Sequence, residues 1–231
     1  MRSLLLLVLA LLATPAAAGE RSYQITSFDR VRVEGPFDVR LSVGGAPSAR
    51  AEGETGLVDG LDLRVDGMTL VVRATANVWG ERPRGYAGHP PVVNLSTPTL
   101  RVASVTGGGR LAIDRLRAMR ADLSVNGAGS LRIDAIDADQ VYAVLTGNGA
   151  VTLGGKAQRA QLLTNGTGAI NAGALEVGDL TVAMEGSGET HARAKFTARV
   201  TNMGLGSVTV DGTPTCKVTA PAGGVVSCGA K

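Results

Sequence analysis

Six Gly-x-Gly pairs punctuate the chain: Gly107/Gly109, Gly127/Gly129, Gly147/Gly149, Gly166/Gly168, Gly186/Gly188 and Gly204/Gly206. Their first glycines stand 20, 20, 19, 20 and 18 residues apart. In a chain with 32 glycines the pairs alone carry little weight. The near-constant interval carries the argument, because a fixed period is the mark of stacked structural repeats.

The flanking residues keep the same register. Two and four residues before each first glycine come Val105 and Ala103, Val125 and Leu123, Leu145 and Ala143, Thr164 and Leu162, Met184 and Val182, Asn202 and Val200. Two and four residues after each second glycine come Leu111 and Ile113, Leu131 and Ile133, Val151 and Leu153, Ile170 and Ala172, Thr190 and Ala192, Val208 and Val210. Mostly polar residues lie between, so each side of the turn reads as a strand with one buried face. An antiparallel meander of hairpins would also alternate around glycine turns. A coil of about twenty residues instead leaves room for three short runs and three corners, and a third apolar point at Leu116, Ile136, Leu175 and Phe196 fits three sides. The expected fold is all-β, a parallel β-solenoid whose glycines stack at one corner, where a Cβ would be costly.

Two other columns follow from that register. Thr106, Asn126, Thr146, Asn165, Glu185 and Met203 precede the glycines, a polar column that ends at the methionine. Asp114, Asp134 and Asp211 share another position, where stacked carboxylates would hold calcium or do acid–base work. Gly154, Gly173 and Arg193 interrupt that column. Aspartates that close turns on their own backbone explain it better.

Ahead of the repeats, Arg2, the apolar run from Leu4 to Ala13 and the small residues Ala16-Ala17-Ala18 have the form of a secretory signal peptide over residues 1–18, with the mature chain beginning near Gly19. That run is too short to span a bilayer, and no later segment approaches the necessary length. No cysteine marks a lipid-anchor site at the cleavage point. Losing Arg2 lowers the formal net charge of +3 by one, and the remaining charges are scattered singly, which excludes a nucleic-acid-binding stripe. Cys216 and Cys228, the only cysteines, are expected to form a disulfide, since an exported chain meets an oxidising compartment. Residues 19–231 read as a single domain: irregular strands over 19–76, a loop over 77–91, then regular coils and a C-terminal cap over 92–231.

The irregular half repeats the same alphabet loosely. Gly35-Pro36-Phe37-Asp38-Val39-Arg40-Leu41 lays over Gly127-Ala128-Gly129-Ser130-Leu131-Arg132-Ile133, with Phe37 in the place of the second glycine. These residues are either distorted first coils or a separate strand cap. Together with Asp59-Gly60-Leu61, Gly67-Met68-Thr69-Leu70-Val71-Val72, Thr97-Pro98-Thr99-Leu100 and the coils themselves, the order of elements resembles the GIN-domain (DUF2807) family of autotransporter-adhesin head domains. The resemblance covers nearly all of the mature chain. It implies a right-handed parallel β-helix at the cell envelope, with adhesin-like binding. The 231 residues show no run of barrel strands after the coils, so self-transport through an outer membrane is not expected.

Catalytic constellations are scarce. His89 and His191 lie far apart, and neither a Cys-His pair nor a metalloprotease helix motif occurs. Gly186-Ser187-Gly188 is a repeat corner without the strand-to-helix setting of a nucleophile elbow. The best polar groups a coil enzyme could use are Asp134, Arg132 and Arg110. The segment from Asn77 to Pro91 breaks the repeat and holds Trp79, Arg82, Arg84, Tyr86 and His89, residue types that anchor interfaces when a rigid scaffold presents them on a loop. A capping loop over the solenoid explains the same residues equally well. The expectation is a non-enzymatic exported protein, periplasmic, surface-associated or secreted, without cofactor or metal, that binds or scaffolds an envelope or extracellular protein or glycan. A β-helix polysaccharide lyase or hydrolase is the alternative.

Overall fold

The computed structural model describes residues 18–75 and 90–230. Its N-terminal strands are β1 (Ala18–Tyr23), β2 (Arg30–Glu34), β3 (Asp38–Val43) and β4 (Ser48–Glu54), then, after the one-turn helix α1 (Thr55–Asp59), β5 (Leu61–Asp66) and β6 (Thr69–Ala74). Strands β7 (Val92–Thr97) and β8 (Val102–Gly107) lead into five strands that each wrap a coil: β9 (Arg110–Gly127), β10 (Ser130–Gly147), β11 (Ala150–Gly166), β12 (Ala169–Gly186) and β13 (Glu189–Asn202). The chain closes with β14 (Ser207–Gly212), β15 (Thr215–Thr219) and β16 (Val226–Ala230).

The coils stack in parallel, each residue on its equivalent one repeat away. Leu131 stands opposite Leu111 and Val151, and Leu145 opposite Val125 and Thr164. In β9 the buried residues are Leu111 and Ile113 on the face that follows the glycines, Leu116 on a short face, and Ala121, Leu123 and Val125 on the face that precedes the next glycines. The solenoid and its period are as the sequence predicts. The buried threonines Thr164 and Thr190 satisfy each other across the core, their hydroxyl oxygens 3.0 Å apart. Buried Asn202 donates to the Gly206 carbonyl at 2.8 Å and accepts from the Gly204 amide at 3.1 Å, holding the last corner shut.

The corner explains the glycines. Gly127 and Gly147 both have φ of +110°, and a Cβ on Gly147 would stand 2.7 Å from the Gly127 carbonyl oxygen. At Gly129 a Cβ would meet the Gly109 carbonyl oxygen at 2.7 Å, the same oxygen that accepts the Ser130 amide at 2.8 Å. Backbone lies directly on backbone there, leaving no room for a side chain.

One core assignment fails. Phe196 is 58% exposed, and Ala194 occupies the interior instead. The 18-residue interval from Gly186 to Gly204 is the cause: β13 runs in step with β12 through Ala192, then slips so that Arg193 faces Glu176 and Ala194 faces Val177. The shortened corner moves the inward alternation onto Ala192 and Ala194 and turns Phe196 outward.

The N-terminal layers combine both readings offered for them. Strand β2 lies between β6 and β8, and β3 lies between β7 and β9, all parallel. With the Gly35–Phe37 corner they form one coil-like layer. The Arg110 amide donates to the Phe37 carbonyl at 2.7 Å, as the Ser130 amide does to Gly109, so Phe37 does stand in a second-glycine place. Its ring turns into the core, 1% exposed. Beyond this layer the pairing changes to antiparallel: β4 on β7, β1 on β4, and β5 on β6. Residues 92–97 therefore belong with the mixed layers rather than with the regular coils. At the other end β14 and β16 extend the post-glycine face, β15 extends the pre-glycine face through β13, and the Cys216–Cys228 disulfide ties the two together. Among the described residues no helix is long and apolar enough to cross a membrane.

Candidate functional site

Trp79, Arg82, Arg84, Tyr86 and His89 lie outside the described residues. What the fold does place is the pair of strands on either side. Arg73 near the end of β6 stands opposite Glu34, and Val92 at the start of β7 stands opposite Asp38. Glu34 and Asp38 flank the Gly35–Phe37 corner, so the chain leaves β6 and re-enters at β7 on the side of the glycine corners.

The three aspartates do not converge. Asp114 accepts the amides of Val43 at 3.0 Å and Arg115 at 2.6 Å, locking β9 to β3. Asp134 pairs with Arg132 at 2.7 Å, and Asp211 with the His191 imidazole at 2.8 Å. Among the described residues no three His, Cys, Asp or Glu side chains gather where a metal ion could be held. Each aspartate is occupied by a local structural partner.

The short face carries a feature that scanning for motifs misses. Arg117, Asp137, Lys156, Glu176, Arg193 and Asp211 lie in one register across six successive strands, alternating in sign. Asp137 is reached from both sides, by Arg117 at 3.5 Å and Lys156 at 3.6 Å. These groups are mostly exposed, so the ladder contributes little stability. Laying the coils out by their second glycines reveals it: Arg117, Asp137 and Glu176 are each the eighth residue on, and Lys156 the seventh.

Beside the ladder runs a groove of about 780 Å³ across the coils from Asp137 to Thr213. Its floor is a column of small residues: Ala138, Ala157, Val177, Ala194 and Gly212 follow one another in register. Asp139, held by the Gln158 amide at 3.2 Å, and Asp179, held by the Thr197 hydroxyl at 2.6 Å, form the opposite wall. Phe196 completes it. Its ring edge passes so close to Gly178 that a Cβ there would touch it at 3.4 Å, and the Lys195 ammonium sits 5.2 Å from the ring centre. Asp179 also borders a smaller depression that holds Tyr142, Arg120, Gln140 and Arg159.

A solenoid of this period capped by mixed strands has counterparts. Residues 27–214 match the family described as "Putative auto-transporter adhesin, head GIN domain" (DUF2807). The chain belongs to that family. Among solved structures, a protein described as an adhesin from Bacteroides fragilis is 21% identical, with a TM-score of 0.82 over 91% of this chain and 96% of the other. One described as a lipid binding protein from Parabacteroides distasonis is 17% identical, with a TM-score of 0.73 over 92% and 97%. An adhesin-labelled protein from Parabacteroides merdae is 14% identical, with a TM-score of 0.68 over 92% and 96%. At these identities the likeness shows a shared fold. No curated protein matches the chain in sequence. For this GIN domain, then, the coils are the family's scaffold, and the ladder and groove are what this chain's own side chains build on it.

Proposed function

We propose that this GIN domain is a non-enzymatic binding or scaffolding module of the cell envelope, exported and adhesin-like, whose partner is a protein or glycan of the envelope or the extracellular space. The observation that carries the reading is the short face: an open groove on a rigid stack, whose carboxylates, Asp137 and Asp139 on β10 and Glu176 and Asp179 on β12, are spread along its length instead of meeting over a single bond, the three aspartates engaged by local partners. Catalysis needs convergent, environment-tuned groups, whereas binding to an extended partner needs a long, preorganised surface. The family's adhesin description supports the same reading. The Cys216–Cys228 disulfide supports export, because such bonds persist in oxidising compartments.

The test combines attachment and turnover. The chain is exported by an expression host, its N-terminus is sequenced, and binding to envelope fractions and whole cells is measured beside activity on a polysaccharide panel. Expected are an N-terminus near Gly19, saturable attachment and no product. Turnover lost on replacing Asp134, Arg132 or Arg110 would reverse the reading in favour of a lyase or hydrolase. The segment with Trp79 is tested in the same assay: Arg82→Ala with Arg84→Ala should weaken attachment about tenfold at unchanged melting temperature if those arginines contact the partner. Unchanged attachment removes them from the site.

A further inference from the structure

We infer that the short-face groove binds a linear, uncharged polysaccharide running along the solenoid axis; this rests on the binding-module reading above and specifies its ligand. The groove mixes acidic and basic side chains in near balance, with Lys156, Glu176 and Arg193 alternating in register along one wall and the carboxylates of Asp139 and Asp179 on the other. A polyanion would meet those carboxylates wherever it lay, and a polycation would meet the ladder's cations. An uncharged chain of hydroxyl groups can use both, accepting from the cations and donating to the carboxylates, which take such bonds at two oxygens each. The density of charge is equally unsuited to a lipid chain or an apolar peptide, which would leave these groups desolvated without partners.

Phe196 points the same way. A large aromatic side chain that is 58% exposed at the rim of a polar groove, with the Lys195 ammonium 5.2 Å from its ring centre, offers an apolar ring surface among hydrogen-bonding groups. Sugar rings have that same combination, an apolar face of C–H groups bordered by hydroxyls, so they can stack on the ring while their edges reach the charged walls. Successive coils repeat at about 4.8 Å, close to the advance of an extended pyranose chain per ring. The ladder's charges, one per coil and alternating in sign, can therefore face successive sugars, as hydrogen-bond donor and acceptor in turn.

The experiment uses the exported, purified chain on cellulose, linear β-1,4-mannan and chitin as uncharged, extended probes, and heparin and alginate as polyanions, with envelope fractions in parallel. At least one uncharged polysaccharide should retain the chain, and raising salt to about 0.5 M should leave that retention unchanged because no counterions are released. Phe196→Ala should weaken it about tenfold or more, Glu176→Gln should weaken it less, and Arg132→Gln, on another face, should not change it. Melting curves should be unaltered for all three. Retention by the polyanions alone, lost at high salt, overturns the proposal, as does undiminished binding by Phe196→Ala. Envelope attachment that persists with no uncharged polysaccharide retained refutes the groove's ligand and leaves the binding-module reading standing. Failure to attach to any envelope fraction or polysaccharide refutes both.

Discussion

In the regular coils every strand stacks on its own equivalent one repeat along the chain, whereas in the N-terminal layers β2 and β3 stack on partners from distant parts. Ser130 stands opposite Arg110 and Ala150, but Arg30 stands opposite Thr69 on one side and Val102 on the other. The coils can therefore form by adding one repeat to the last, as nearest-neighbour solenoids do. The layers around β2 and β3 require two long closures before their strands are paired, which slows their formation. The corner shows the same contrast in chemistry. In the coils the second position is glycine pressed on backbone; in the β2–β3 layer it is Phe37, with its ring in the core.

The largest effect is expected where the coil corner is most crowded. Gly147→Val adds a branched Cβ at φ +110°, against a carbonyl oxygen 2.7 Å away, and should destabilise by about 5 kcal/mol or prevent folding. Chemical denaturation measures it, and a change below about 1 kcal/mol would mean that the corners are not stacked as described. On the other side of the comparison, Phe37→Ala removes a fully buried ring and should lose about 3–5 kcal/mol. A silent Phe37→Ala would erase the distinction between the two corners and make the N-terminal layer an ordinary coil.

Replacing Cys216 and Cys228 together by Ser opens a short loop between β15 and β16, for which chain entropy predicts a loss of up to about 3 kcal/mol. Hydrogen exchange should localise the change to β14–β16, since each coil depends mainly on its neighbour. Spread of the loss into the N-terminal layers would show that the two regions open as one unit. The smallest effect is expected for Arg132→Gln. Its pair with Asp134 is exposed on both sides, so stability should shift by no more than about 0.5 kcal/mol in the same denaturation assay.

Much of this architecture is local in origin, and so the sequence alone determines it. Alternating apolar residues on either side of a glycine corner specify strand, turn and buried face within each twenty-residue window, and the constant period specifies stacking. The Cys216–Cys228 pairing was legible for another reason, the oxidising compartment that the leader of an exported chain implies for its only two cysteines. What the tertiary structure decided are the matters that depend on how one window meets another. The two residues missing between Gly186 and Gly204 can be counted in the sequence, but only the pairing of β13 with β12 shows that they are lost after Ala192, which carries Phe196 from the expected core to the surface. The insertion of β2 between β6 and β8 leaves no periodic trace, because its partners are far away and each contact joins unlike segments. The charge ladder lies between these cases: Arg117, Asp137, Lys156 and Glu176 keep a nearly constant offset from the glycines, but Arg193 and Asp211 join them only through the slip of β13 on β12, and the column, with the groove beside it, exists only when parallel stacking brings six separate strands into one register.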